Sequence, residues 1–494
     1  MIPRLLLVVF LAGSLHAGTT PTVRPSPTPA VSLAQSVIRV NSTNQSFDFL
    51  RPWMKKAPFP RRGLGVVLDG GLVLVTAELV ANHNYVELEK AQSAEKSPAE
   101  VVRVDYDYNL ALLKPADPKF LEDFRPLPLD SGAKVGDSAL VLQLEPNGDL
   151  AETTAKLTSI TTSGYPFEGM ALLVFRVSAP LQQRDGSFTV PTVRDGRLLG
   201  LLMRYDPRMQ TGDVIPPPVI QHFLDEHARP EFGGIPRAGL AFSHTRDPQL
   251  RRYLGLNEPG GVLVTDVLRD GAAATAGIKT GDVVLAVNGQ AVDQDGNYAD
   301  PEFGRIPFSH LTNLKAHTAD TVTFRIFREG KTFDVPVLLV PRDRSKMLSE
   351  PYIMDRAPRF VVLGGLVFQE LSRPYLQEWG GNWVQDAPQR LVHYDAFQNE
   401  VDPERGRIIF LSQVLPTADT LGYEDLRDLV VTKVNGRTIR SLDDLSAAIK
   451  EPVDGFHRVE FEEDPHVLFL DAKSVEQNRE ALQSQYSLPV LERL

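Results

Sequence analysis

A serine nucleophile needs an imidazole to take its proton and a carboxylate to hold that imidazole in the right tautomer. The first half of the chain offers Ser187 as the hydroxyl, His83 as the imidazole, and Asp105 or Asp107 as the carboxylate. His83 lies in Ala81-Asn82-His83-Asn84, a run with turn chemistry, and reads as an exposed loop histidine. A second pairing sets Glu78 against Ser187 or Asp185 as an acid/base couple. Glu78 is a weak base in that role, with a pKa near ~4.3 unless strongly desolvated. His222 and His227 fall on a short amphipathic segment and read as packing or surface residues. No His-Glu-x-x-His, phosphate-binding loop or dinucleotide fingerprint is present, so neither a metal nor a cofactor is expected. The chain has no cysteine, which excludes disulfides, thiolate catalysis, Cys-ligated zinc and a lipidated-cysteine anchor.

These residues must be positioned by a β-rich segment. From 36 to about 226, short apolar runs alternate with turn residues such as Asp69-Gly70-Gly71 and Asp195-Gly196. The predicted strands are 65–68, 72–76, 85–88, 101–105, 110–113, 138–142, 152–160, 171–177 and 198–203. Many short strands at even spacing indicate a sandwich or barrel. Pro216-Pro217-Pro218 then opens a helix over 219–226, with Val219, Ile220, Phe223 and Leu224 on its apolar face.

The stretch 260–292 changes character. Two β-branched runs, 262–264 and 283–285, flank a small Ala-rich turn of helix that Gly277 stops. Asn288-Gly289 is a strong hairpin signal. Strand, short helix, glycine stop, strand and Asn-Gly turn in this order resemble a PDZ domain. Such a domain binds an extended peptide by adding it to an open sheet edge. Residues 308–314 supply the apolar spacing of a groove-walling helix. A weaker copy of the pattern follows, with 408–414, 429–434, Asn435-Gly436, and a helix over 442–449 capped by Ser441.

One β-rich domain followed by two PDZ-like modules resembles the HtrA/Deg family of serine proteases. The likeness rests on LVLVTAELV, NLALLKP, KVGDSALVL, VRDGRLLGLL and PPPVIQHFL in the first domain, and on LGGLVFQELSRPYL and LSQVLP in the last. It implies a mainly β chain, with a trypsin-like double β-barrel followed by two PDZ-like α+β domains. The expected boundaries are a barrel over 36–228, PDZ modules over 232–343 and 345–470, and a terminal helix and tail over 471–494. In the same alignment Glu78 takes the family's histidine position and Asn109 its aspartate position. Ser187 or Gly186 takes the nucleophile position, depending on which flank is counted from. Phe188-Thr189 replaces two glycines of the oxyanion turn. Loss of one triad member costs on the order of 10⁴- to 10⁶-fold in rate. The expectation is therefore an inactive barrel kept as a scaffold; the rival is a divergent endopeptidase with a rebuilt site.

The resemblance also implies a peptide-binding function. The carboxylate-binding loop maps to Arg237, Ala238, Gly239, Leu240 and Ala241, with Leu311 and Leu314 lining the side-chain pocket. The second module's equivalent is Gly364, Gly365, Leu366, Val367 and Phe368. The expected partners are extended peptides or protein C-termini. A homotrimer or co-assembly with an active paralogue would follow from the family. A net charge of -11 argues against nucleic-acid binding. Residues 1–17 combine Arg4, a short apolar run and a small residue at Ala17, which reads as a secretory signal peptide. A Pro/Thr-rich tether over 18–35 follows. A secreted or periplasmic protein with no membrane span is expected once the signal is removed.

Overall fold

A computed structural model of the chain describes residues 33–90, 93–145, 149–182, 189–229, 234–398 and 405–494. The alternating runs of the first domain close on themselves twice. Strands β1 (Val37–Asn44), β2 (Phe59–Leu68), β3 (Leu72–Val75), β4 (His83–Glu89), β5 (Lys96–Asp105) and β6 (Leu110–Pro115) form one barrel in the order β1-β2-β3-β6-β5-β4. Strands β7 (Ser138–Leu144), β8 (Leu150–Gly164), β9 (Ala171–Ser178), β10 (Val190–Arg194), β11 (Arg197–Asp206) and β12 (Thr211–Ile215) form the second, in the order β10-β11-β12-β9-β8-β7. This is the expected double barrel. Closure removes the free edges that an open sheet would expose.

Three strands, β1, β10 and β12, had no sequence signal. The reason is visible in β1, where Ser42 and Asn44 are buried. Asn44 Nδ2 donates to the Leu79 and Ala81 carbonyls at 3.1 and 2.7 Å. A buried polar residue breaks the apolar alternation without breaking the strand. β10 and β12 are only five residues each.

Two helices matter for the site. α1 (Ala77–Val80) is a single turn after β3. α2 (Pro217–His227) closes the second barrel, starting on proline as the sequence indicates and burying Val219, Ile220 and Phe223. One apolar cluster runs from Phe175 and Phe223 of the second barrel into Val262, Phe308 and Phe324 of the next module. Core burial therefore joins these two parts.

The first module enters and leaves through paired two-residue strands, Pro236–Arg237 against Val340–Pro341. Its sheet runs Leu240–Ser243, Val262–Val267, Val283–Val287, Thr321–Arg328, Lys331–Leu338. Gly277 takes φ +86°, and Asn288 and Gly289 take +48° and +76°, which are the left-handed turns expected of these residues. The second module repeats the plan with an added helical insert, Arg373–Leu376, Trp383–Asp386 and Gln389–Ala396. Its helix Leu442–Ile449 is capped by the Ser441 hydroxyl, which accepts from the Asp444 N–H. Among the described residues no helix is long and apolar enough to cross a membrane.

Candidate functional site

α1 and the turn before β6 bring two of the expected positions together. The Asn109 side-chain carbonyl accepts the Glu78 backbone N–H at 3.1 Å, and the Asn109 main-chain carbonyl accepts Ala77 N–H at 3.1 Å. Asn109 is fully buried at φ +52°, a left-handed conformation that asparagine tolerates. Its carboxamide thus anchors the first turn of α1. Burial raises the Glu78 carboxyl above its ordinary range, and the Arg61 guanidinium opposes the rise. Arg61 also donates to the Glu78 main-chain carbonyl.

The third position, Ser187 or Gly186, lies outside the described residues, as does Asp185. The adjoining Thr189 is described and buried. Its hydroxyl accepts Thr76 N–H at 3.0 Å and shares a hydrogen bond with the Thr76 hydroxyl at 2.7 Å. Among the described residues, the relocated candidates His83, Asp105 and Asp107 each make separate contacts. His83 opens β4, with its Nδ1 2.9 Å from the Val80 carbonyl. Asp105 accepts the Asp107 and Tyr108 N–H groups at 2.8 and 3.3 Å. Asp107 faces Arg237 and Arg344 at 3.3 and 2.8 Å.

The first module carries an open edge. Among the described residues, strand Leu240–Ser243 pairs only with Val262–Val267, as the terminal strand of its sheet. The loop before it is held by its carbonyls: Ala238 accepts from Ala273 N–H and Gly239 from Leu268 N–H, both at 2.8 Å. Gly239 sits at φ +75°, with room for a Cβ only 3.3 Å from that of Leu268. A cavity of about 530 Å³ opens along this edge, lined by Ala238, Gly239, Leu240, Phe242, Phe308 and Thr312. Leu311 and Leu314, expected to line it, pack in the core instead. The helix Ser309–Asn313 is one short turn, so the 308/311/314 stripe points inward. Of these three, Phe308, in ring contact with Phe242 at 5.1 Å, reaches both core and cavity.

Comparison with known proteins agrees with this architecture. Two protein-family models match the chain, each described as a PDZ domain, over residues 245–294 and 350–491. Chloroplastic protease Do-like 2 of Arabidopsis thaliana is 27% identical over 474 residues, covering 94% of this chain and 76% of its own length. The putative mitochondrial protease Do-like 3 of the same plant is 26% identical over 461 residues, covering 90% and 78%. The chain is a homologue of the HtrA/Deg proteases with PDZ domains. Among solved structures, the HtrA-type protease AlgW with a decapeptide aligns at 18% identity and a TM-score of 0.48, over 63% of this chain and 96% of that one.

In this HtrA/Deg homologue the second module differs from the sequence expectation. Strand Leu366–Glu370 pairs with Ile409–Val414 on one side and with Phe360–Leu363 on the other. Gly364 and Gly365 make the two-residue turn between the latter pair, at φ +60° and +113°. A Cβ on Gly365 would lie 2.5 Å from the Leu415 carbonyl. Leu366, Val367 and Phe368 are therefore fully buried mid-sheet, and the edge a peptide would need is taken by the chain itself. The Leu-Gly-Gly-Leu spelling fits a carboxylate loop and a tight hairpin equally well, so pattern alone did not separate them.

Sequence reasoning also missed the segment between the modules. Tyr106 donates to Asp355, while Asn82 and Asp355 exchange N–H bonds at 2.7 and 2.8 Å. Tyr352 joins Ala77, Ala81 and Tyr106 in one apolar cluster. Arg237 binds Glu168 at 2.6 Å and Arg342 lies 3.4 Å from it. Burial works against the Glu168 charge, but Arg237, Arg342 and Arg344 pull its carboxyl down to about 2. Arg237, expected from the sequence in a peptide-binding loop, is thus committed to holding the module on the barrel.

Proposed function

We propose that this chain is a pseudoprotease of the HtrA/Deg type, whose work is to bind extended peptides through its first PDZ groove. The observation that carries the reading is Asn109. A buried carboxamide stands where the family's carboxylate orients the histidine, and it is spent on the Glu78 backbone N–H. No imidazole stands at position 78, so a serine in the neighbouring loop has no inherited base. The barrel then serves as a scaffold, and the open edge of Leu240–Ser243 beside its cavity is the surface that does the binding. We further propose export from the cytoplasm through residues 1–17, on the strength of that segment's pattern. Assembly as a trimer, alone or with an active paralogue, follows from family analogy only.

The test is fluorescence polarisation of the full-length chain against a library of labelled peptides with free C-terminal carboxylates. The expected result is micromolar binding by a subset with apolar last residues, weakened by Gly239→Val and unchanged by Gly365→Ser. Binding by no peptide, or binding lost only through the second module, would overturn the groove assignment.

A further inference from the structure

The barrel's closing helix meets the first PDZ module at three metal-ligating side chains that the binding function does not use. His222 and Glu226 stand one turn apart on α2, and His317 follows the module helix Ser309–Asn313. One ligand atom from each lies within 4.8 Å of the other two. The pairing is invisible in sequence, since Glu226 and His317 are 91 residues apart.

Glu226 carries the argument. It is fully buried, 0% exposed. Its Oε1 receives His317 Nδ1 at 2.6 Å and lies 3.5 Å from Arg229. Its Oε2 has no hydrogen-bond partner among the described residues. A desolvated carboxylate oxygen left bare is costly, and a cation beside it removes that cost. His222 is set up to help. Its Nδ1 is 2.7 Å from the Tyr108 hydroxyl, and its Nε2 is 2.9 Å from the Ala316 carbonyl. A carbonyl only accepts, so Nε2–H donates to Ala316, and Nδ1 keeps the lone pair, which takes the Tyr108 hydroxyl proton and which a metal ion would take over in its place. A ligating histidine is ordinarily oriented in this way by an outer hydrogen bond.

The two imidazoles stack, with centroids 4.5 Å apart and planes 7° apart. Parallel rings do not aim their in-plane lone pairs at one point, so one ring must turn on binding. His317 is the ring free to do so: its side chain is 28% exposed, whereas His222 is 4% exposed. We infer that His222, Glu226 and His317 form a site for a borderline divalent metal ion, which pins the barrel's closing helix to the first PDZ module. Two imidazoles and one carboxylate suit Zn²⁺.

The test uses the full-length chain, stripped with EDTA and titrated calorimetrically with Zn²⁺ at neutral pH. The expected result is about one Zn²⁺ per chain with a Kd below about 10 μM, together with a raised melting temperature. Co²⁺ gives the intense visible bands of a four- or five-coordinate site. His317→Ala removes a partly exposed ring, so it leaves the fold intact, and it weakens binding by about ten-fold or more. His244→Ala, at an exposed histidine elsewhere, binds like the unaltered chain. Absence of stoichiometric zinc binding, or equal binding by His317→Ala, would overturn the site and leave the cluster a hydrogen-bonded contact only.

Discussion

At the scale of single residues, the proposed loss of activity turns on Asn109, a carboxamide at the position expected to hold the family's carboxylate. Asn109 has no proton-relay capacity, and its carbonyl already anchors α1. Glu78→His with Asn109→Asp is therefore expected to restore no cleavage of casein. The added carboxylate would be fully buried, and Thr189 would still occupy the turn. Thr189→Ala removes the two hydrogen bonds its hydroxyl makes with Thr76 and is expected to cost about 1–3 kcal/mol, read as a fall in denaturant midpoint. Asp105 gives a pH signature. Burial, then the neighbouring Asp107 carboxylate, pushes its carboxyl up to about 7. A raised folded-state pKa means that the folded state binds more protons than the unfolded one between the two values. The stabilising contribution is complete below the unfolded value near ~3.9 and disappears as pH rises through about 7. Asp105→Asn keeps the oxygen that accepts from Asp107 and Tyr108 but cannot ionise. Calorimetry should show it melting higher than the parent at pH values above 7, with no such gain below the unfolded value. A loss at the higher pH would contradict the burial argument.

At the scale of elements, the contrast between the two modules was only half legible. The first module's turns were fixed locally: Gly277, Asn288 and Gly289 need left-handed backbone, and the sequence supplies residues that adopt it. Most barrel strands announced themselves by alternation, while β1 hid behind buried Ser42 and Asn44. The second module's closed edge was not legible, because pairing of Phe360–Leu363 with Leu366–Glu370 depends on what lies across the sheet. Of the candidate site, the flanking motifs singled out Glu78 and Asn109, and the fold brings the two together. The inward turn of Leu311 was not, since a five-residue helix offers too little periodicity to fix a face. Gly365→Ala tests the closed edge. A Cβ 2.5 Å from the Leu415 carbonyl at φ +113° should lower the melting temperature of the second module and leave peptide affinity unchanged. An altered affinity would place ligand in that module.

At the scale of the whole molecule, charges hold the parts in register where no apolar pattern points. Asp107 in the barrel meets Arg237 at the entrance to the first module, and Arg344 and Tyr352 beyond its exit. Asp107→Ala leaves these cations facing one carboxylate fewer and should cost about 2–4 kcal/mol, toward the low end because Arg344 is partly solvated. Splitting of one calorimetric transition into two would show that the contact couples barrel and modules; a single unshifted transition would show that it does not. Such coupling suits a scaffold that presents a groove in fixed orientation. The proposed scaffold role requires a barrel that does not cut. Digestion of casein by the purified full-length chain, with Ser187→Ala beside it, is the most direct measurement. A scaffold barrel gives no cleavage that depends on Ser187, and robust cleavage abolished by Ser187→Ala would contradict that role.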